Sequence, residues 1–162
     1  MRQEPEVLVP ELGRLLMRRE LSLVTAESCT GGWLAKLVTD VPGSSAWFER
    51  GFVTYSNAAK VEMLGVREQT LKEKGAVSAD TVREMAEGAL AHSHADIAVA
   101  VSGIAGPDGG TPDKPVGLVW IAWARREEQA QAEQYQFAGD REAVRLQAAE
   151  IALRGLIGRL ED

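Results

Sequence analysis

Residues 21–32, which read LSLVTAESCTGG, decide the fold that we expect for this chain. Leu21 to Ala26 form an apolar run that is typical of a buried strand. The two glycines at the end of the stretch lead into residues 33–38, WLAKLV, which have a helical composition. The stretch therefore predicts a strand-to-helix turn with Ser28 on it.

Apolar spacing and capping residues also predict helices and strands in the rest of the chain. Helices are predicted over about residues 6–20, 33–38, 58–64, 79–92 and 141–160, with Asn57, Ser78 and Asp140 as N-caps of the last three. Strands are predicted over residues 21–26, 47–55, 97–101, 117–124 and 132–137, the last two as an antiparallel hairpin. These elements predict a single three-layer α/β/α domain over residues 1–162, with a mixed central sheet and helices on both faces.

Composition excludes several classes of function. The net charge of -6 argues against a sequence-independent grip on nucleic acid, which needs clustered Lys and Arg. The apolar runs are much shorter than the ~20 residues of a membrane helix, so no membrane partner is expected. With a polar N-terminus and one cysteine, a reducing cytoplasm is the expected location.

Ser28 is a candidate nucleophile. A hydroxyl at the end of a buried strand, followed by the N–H groups of Cys29, Thr30 and Gly31 at the start of a helix, combines a nucleophile with an oxyanion site. A Ser or Thr here can equally be a simple helix cap. Cys29 is a competing nucleophile, but if Ser28 faces the site, we expect Cys29 to face the core.

A serine hydroxyl needs a base to take its proton. The two histidines, His92 and His94, lie together at the end of a predicted helix, where they are more typical of dipole complements than of catalysts. Lys60 is the better candidate, provided that burial or nearby positive charge lowers its pKa from the usual value of about 10.4. The alternative is an ordinary exposed lysine on a helix.

Two further regions are candidates for ligand binding. The loop that begins Ser102-Gly103-Ile104-Ala105-Gly106 follows a buried strand, and ligands of open α/β sheets bind at the carboxyl ends of strands. Arg141 and Arg145 open the last helix, where an arginine beside free N–H groups suits a phosphate or carboxylate. An ordered surface loop and surface ion pairs with Asp140 or Glu142 are the alternatives. No metal-ligand spacing is evident.

The chain also resembles a known family. The resemblance is carried by AESCTGG (26–32), GFVTYSN (51–57) with Lys60, GAVS (75–78) and SGIAGPDGG (102–110). In this order, and over nearly the whole length from about residue 21 to 160, these motifs are similar to those of the CinA C-terminal-domain family.

The resemblance implies an activity and a set of site residues. It implies a nicotinamide mononucleotide amidohydrolase of pyridine-nucleotide salvage, without the extra N-terminal domain of larger members. The family's Ser-Lys pair falls on Ser28 and Lys60, and its nearby tyrosine on Tyr55. No cofactor is expected, and a homodimer is favoured. Candidate substrate contacts are Cys29, Thr30, Gly31, Asn57, Ser102, Gly103, Gly106, Arg141 and Arg145.

Overall fold

The computed structural model describes residues 4–161, so residues 1–3 and 162 of the predicted domain lie outside the description. The helices are α1 (Pro5–Arg19), α2 (Trp33–Thr39), α3 (Asn57–Leu64), α4 (Glu68–Lys74), α5 (Ala79–Ala91) and α6 (Arg141–Leu160), and a 3-10 turn lies at Ser44–Ala46. The strands are β1 (Leu23–Glu27), β2 (Phe48–Val53), β3 (Ile97–Gly103), β4 (Leu118–Arg125) and β5 (Gln131–Gln136).

The strands form one mixed sheet in the order β2-β1-β3-β4-β5. Strand β1 pairs in parallel with both β2 and β3, whereas β3–β4 and β4–β5 are antiparallel. The carboxyl ends of β1, β2 and β3 therefore meet at one edge of the sheet. In the register between β1 and β3, Glu27 lies opposite Val101, so the residues that follow them, Ser28 and Ser102, are neighbours at that edge.

Side chains of β3 alternate between two hydrophobic cores. Ile97, Val99 and Val101 enter the core covered by α1, α2 and α6, whereas Ala98 and Ala100 enter the core on the opposite face, under α3, α4 and α5. The small alanines let the helices of that second layer approach the sheet closely. The prediction of a mixed sheet with helices on both faces is therefore confirmed.

Helix α3, which carries Lys60, is held by a close contact with α5. A Cβ at Gly88 would lie 1.8 Å from the carbonyl oxygen of Leu64, so only glycine permits this approach. The cap of α3 differs from the prediction: Ser56, not Asn57, is the N-cap, and its hydroxyl accepts the N–H of Ala59 at 3.0 Å. Asn57 is instead the first helical residue.

Helix α4 was not predicted from the sequence. Its seven residues read EQTLKEK, and only Thr70 is buried, so it has no apolar stripe at helical spacing. The caps predicted at Ser78 and Asp140 are confirmed, because their side chains accept the N–H groups of Thr81 and Ala143. Within residues 4–161 no helix has both the length and the apolar character that crossing a membrane requires.

Candidate active site

The site lies where the chain changes from one face of the sheet to the other. Helix α2 follows β1 on one face, and the return from β2 to β3 runs through α3, α4 and α5 on the opposite face. The carboxyl ends of β1 and β3 thus flank a crevice of the type that binds ligands in open α/β sheets. The Ser28 N–H donates to the carbonyl of Val101 at 3.0 Å and ties the two ends together.

Lys60 reaches the Ser28 hydroxyl from the other layer. Its side chain is 1% exposed, and its Nζ lies 2.9 Å from Ser28 Oγ, 2.8 Å from the carbonyl oxygen of Thr54 and 3.3 Å from that of Tyr55. Burial penalises the ammonium form and lowers the pKa of Lys60 from 10.5 to about 8. Among the described residues, no neighbouring cation contributes to this lowering, so burial is the route by which the pKa falls.

The three contacts of Lys60 Nζ fit the ammonium form, which donates to all three oxygens, and they also fit the neutral amine if the Ser28 hydroxyl becomes the donor. A neutral amine has two N–H donors and one lone pair, whereas the ammonium form has three donors and no acceptor. With both N–H groups on the carbonyls of Thr54 and Tyr55, the lone pair is left for the hydroxyl of Ser28. The geometry thus allows Ser28 to donate its proton to Lys60.

Cys29 borders the cavity beside this pair but is largely packed into the core. It is 6% exposed and belongs to the core formed with α1, α2 and α6. Burial raises the pKa of its thiol to about 11, so the reactive thiolate is scarce near neutral pH. This environment favours Ser28 over Cys29 as the nucleophile.

The backbone after Ser28 differs from the predicted oxyanion site. Helix α2 begins at Trp33, not directly after the serine, and the Gly31 N–H is already bound to the Ser28 carbonyl at 3.0 Å. The Thr30 side chain is fully buried and does not line the cavity beside Ser28. Within residues 4–161, the N–H groups of Cys29 and Thr30 donate to no protein oxygen, so these two remain as candidate oxyanion donors.

A cavity of about 310 Å³ opens beside the pair, which is within the usual range for small-molecule sites. Ser102, at the end of β3, is 1% exposed, and among the described residues its hydroxyl has no hydrogen-bond partner. A buried hydroxyl on a cavity wall is a ready contact for a ligand. The cavity is lined by Ser28, Cys29, Tyr55, Lys60, Ala76, Val77, Ser102, Gly103, Ile104, Ala105, Gly106, Asp108, Gly109 and Arg141.

Arg141 closes the rim of the cavity together with Tyr55. Its guanidinium donates to the carbonyl of Gly106 at 2.9 Å and to the Tyr55 hydroxyl at 3.2 Å. Within residues 4–161, Arg141 makes no ion pair with a carboxylate. The Tyr55 side chain is 63% exposed, and what Tyr55 presents to Lys60 is its main-chain carbonyl, not its phenol.

Arg145 and Asn57 do not line the cavity beside Ser28. The Arg145 guanidinium donates to the carbonyls of Cys29 and Thr30 at 3.0 and 3.1 Å and lies over the Trp33 ring at 5.3 Å. It therefore holds the Ser28 turn and does not line the cavity. Gly31 lies with it in an adjoining surface groove, and Asn57 is exposed outside the cavity.

Sequence reasoning did not name Ala76, Val77, Asp108 and Gly109, which line the cavity, or Glu27, which supports the Ser28 turn, as site residues. Ala76 and Val77, between α4 and α5, form one wall of the cavity, and Glu27 lies buried beneath the Ser28 turn. The motif GAVS (75–78) belongs to the family resemblance, so a signal for the first two was present without a stated role. Glu27 likewise belongs to the motif AESCTGG (26–32) of the resemblance, but no role was stated for it because it reads as the polar end of a strand.

Comparison with known proteins agrees with this fold and identifies the family. The family model described as CinA C-terminal domain matches residues 6–160, so the chain belongs to the CinA C-terminal domain family. The predicted family membership is thereby confirmed.

The chain is also similar to individual proteins of this family. The chain is 57% identical over 149 residues to nicotinamide-nucleotide amidohydrolase PncC of Escherichia coli (strain K12). The aligned region covers 92% of this chain and 90% of that protein. It is 55% identical to PncC of Pseudomonas putida, over 93% of each chain. Its fold matches the crystal structure of the CinA superfamily protein KP700603 from Klebsiella pneumoniae 700603, with a TM-score of 0.94, 42% identity and 98% coverage of each chain.

Proposed function

We propose that this chain is an amidohydrolase that converts nicotinamide mononucleotide to nicotinic acid mononucleotide and ammonia. The observation that carries the proposal is the contact of the buried Lys60 amine with the Ser28 hydroxyl at 2.9 Å, on the wall of a cavity. The substrate comes from the relatives, because proteins at 55% and 57% identity over almost the whole chain are named nicotinamide-nucleotide amidohydrolases. Such an activity belongs to pyridine-nucleotide salvage in bacteria.

Acylation begins with neutral Lys60. Its lone pair takes the proton of Ser28 while Oγ bonds to the carboxamide carbon, and the carbonyl oxygen becomes an oxyanion. The N–H groups of Cys29 and Thr30, which donate to no oxygen of residues 4–161, are the proposed donors to that oxyanion. The Lys60 ammonium then returns the proton to the departing nitrogen, the C–N bond breaks, and ammonia leaves an acyl-serine.

Deacylation repeats the same proton movements with water. Neutral Lys60 takes a proton from a water molecule, whose oxygen attacks the acyl carbon, and the Lys60 ammonium protonates Ser28 as the ester bond breaks. The product is a carboxylic acid, which ionises. The carbonyls of Thr54 and Tyr55 hold the amine in place through both half-reactions.

The other cavity wall is proposed to recognise the nucleotide. Ser102 offers a hydroxyl that has no hydrogen-bond partner within residues 4–161, and Gly103 and Gly106 let the loop backbone approach the ligand. Arg141 is the proposed phosphate contact, because its guanidinium sits on the rim and forms no ion pair with the carboxylates of residues 4–161.

A non-catalytic nucleotide-binding module is the competing function, because a buried lysine can also supply charge alone. Ammonia release from nicotinamide mononucleotide by the purified protein separates the two, with calorimetric binding measured on the same preparation. We expect ammonia and nicotinic acid mononucleotide in equal amounts. Binding of the nucleotide without ammonia release would refute the enzyme and leave the binding module.

A further inference from the structure

Glu27 is a buried carboxylate at the junction of the two halves of the site. It is the last residue of β1 and is 0% exposed. Within residues 4–161 it forms no ion pair with Lys or Arg. A carboxylate in such a place must be held by hydrogen bonds, because an unsatisfied buried charge is costly.

Those hydrogen bonds all come from the segment that follows Ser28. One carboxylate oxygen accepts the Thr30 hydroxyl at 2.6 Å and the Leu34 N–H at 2.9 Å, and the other accepts the Ala35 N–H at 3.0 Å. The N-cap of α2 is Gly32, which has no side chain, so Glu27 does the capping from the preceding strand. The carboxylate thereby fixes both ends of the turn.

The main chain of Glu27 fixes the other half of the site. Its carbonyl accepts the Thr54 N–H at 2.8 Å, and the Thr54 carbonyl in turn accepts Lys60 Nζ at 2.8 Å. One residue therefore links the serine turn through its side chain and the lysine anchor through its backbone. The two links lead to the two partners of the 2.9 Å contact between Ser28 and Lys60.

We propose that Glu27 is a positioning residue, whose buried carboxylate, bound to Thr30 and the first turn of α2, holds Ser28 against Lys60. This inference rests on the proposed function. The carboxylate touches no reacting atom and acts through the turn. Misplacing a reacting group by about 1 Å can lower a rate about 100-fold, so loss of the carboxylate contacts lowers kcat while substrate binding on the far wall persists.

The sharpest test removes one contact at a time. Thr30→Val deletes the hydroxyl that Glu27 accepts at nearly constant shape, and Thr30→Ser retains it. The matched control is Thr39→Val, which removes an exposed threonine hydroxyl from the other end of α2. Glu27→Gln is the stronger change, because its amide nitrogen faces a donor and leaves one buried N–H unpaired.

We expect kcat to fall about tenfold in Thr30→Val and about 100-fold in Glu27→Gln, with KM within about twofold of wild type. Thr30→Ser, which keeps the hydroxyl bound to Glu27, should recover most of the kcat lost in Thr30→Val, and Thr39→Val keeps kcat close to wild type. Rates are measured well below each Tm and normalised to folded protein. The proposal is overturned if Thr30→Val lowers Tm but not kcat, or raises KM alone, and this variant decides the matter even if Glu27→Gln does not fold.

The same assay separates this inference from the proposed function. If Ser28→Ala and Lys60→Met retain activity, the Ser-Lys mechanism itself is wrong. If those two variants are inactive while Thr30→Val and Glu27→Gln keep wild-type kcat, only the role of Glu27 is wrong.

Discussion

The two walls of the cavity follow neighbouring parallel strands, yet they are built in opposite ways. After β1, the turn at residues 28–32 is bound on every side: Glu27 holds Thr30, Arg145 holds two carbonyls, and Lys60 holds the serine. After β3, the wall presents a hydroxyl at Ser102 without a partner among the described residues, and a glycine-containing loop. The first wall is preorganised for chemistry, and the second leaves the Ser102 hydroxyl available to a ligand.

This contrast predicts which substitutions change kcat and which change KM. Changes on the β1 wall should act on kcat, because they alter groups whose positions the protein itself fixes. Changes on the β3 wall and the Arg141 rim should act on KM, because their partners are supplied by the substrate.

The largest effect on kcat is expected from substitution of Lys60. Lys60→Met removes the base but keeps an unbranched side chain in the buried channel, so kcat for ammonia release should fall at least about 10³-fold. Because a buried amine is replaced by an apolar group, Tm at pH 7 should stay equal or rise. Lys72→Met on α4, an exposed lysine, is the matched control and should keep full activity. Substantial turnover by Lys60→Met would show that the β1 wall does not supply the catalytic base.

The second effect is the pH dependence that follows from the Lys60 pKa of about 8. Only the neutral amine accepts the serine proton, so kcat/KM should fall about tenfold per pH unit below pH 8. Stability has a linked signature: the unfolded lysine, with a pKa of 10.5, binds more protons than the folded one between pH 8 and 10.5. The free energy of unfolding should therefore gain a positive slope with pH across that window.

The pH profile of stability and the pH profile of the rate can each be checked. The stability slope assigned to Lys60 should be missing from Lys60→Met, measured by urea unfolding at each pH. A rate profile that is flat from pH 6 to about 9 would mean that Lys60 is not the base.

A smaller effect is expected at Arg141. Arg141→Ala should raise KM for nicotinamide mononucleotide about 10- to 100-fold with kcat nearly unchanged, since it deletes a charged contact to phosphate. Nicotinamide riboside, which has no phosphate, is the control substrate, and the same substitution should leave its kcat/KM unaltered. Equal losses with both substrates would show that Arg141 acts on the rim structure and not on the phosphate.

The smallest effect is expected at Tyr55. Its phenol contacts Arg141 and its carbonyl contacts Lys60, so Tyr55→Phe removes only the exposed hydrogen bond. We expect kcat to change by less than about threefold. A loss of about 100-fold would instead assign the hydroxyl a proton-relay role.

Much of the fold could be predicted, because its strands and longer helices have clear patterns. Strands β1 and β3, the caps at Ser78 and Asp140 and the terminal hairpin follow from apolar runs and capping residues. Helix α4 could not be predicted, since almost all of its residues face solvent. Ser56 and Asn57 are both good caps, and only the geometry of the entering chain decides between them.

The contacts within the site were harder to predict from the sequence than the strands and helices were. Arg141 and Arg145 lie one turn apart on α6 and are equivalent in sequence, yet one reaches the cavity rim and the other the carbonyls of the Ser28 turn. Of the three N–H groups expected for the oxyanion, that of Gly31 is taken by the Ser28 carbonyl, and helix α2 begins only at Trp33, with its first N–H groups capped by Glu27. Which side chain meets which backbone group depends on packing between layers, and packing is not encoded in local spacing.

The central claim, that Ser28 is the nucleophile, is tested most directly by comparing Ser28→Ala with Cys29→Ala. Both proteins are assayed for ammonia release from nicotinamide mononucleotide under identical conditions, after circular dichroism has established that both are folded. The account predicts that Ser28→Ala is inactive and that Cys29→Ala, whose thiol lies in the core, retains most of its activity. Activity in Ser28→Ala together with inactivity in a folded Cys29→Ala would contradict it.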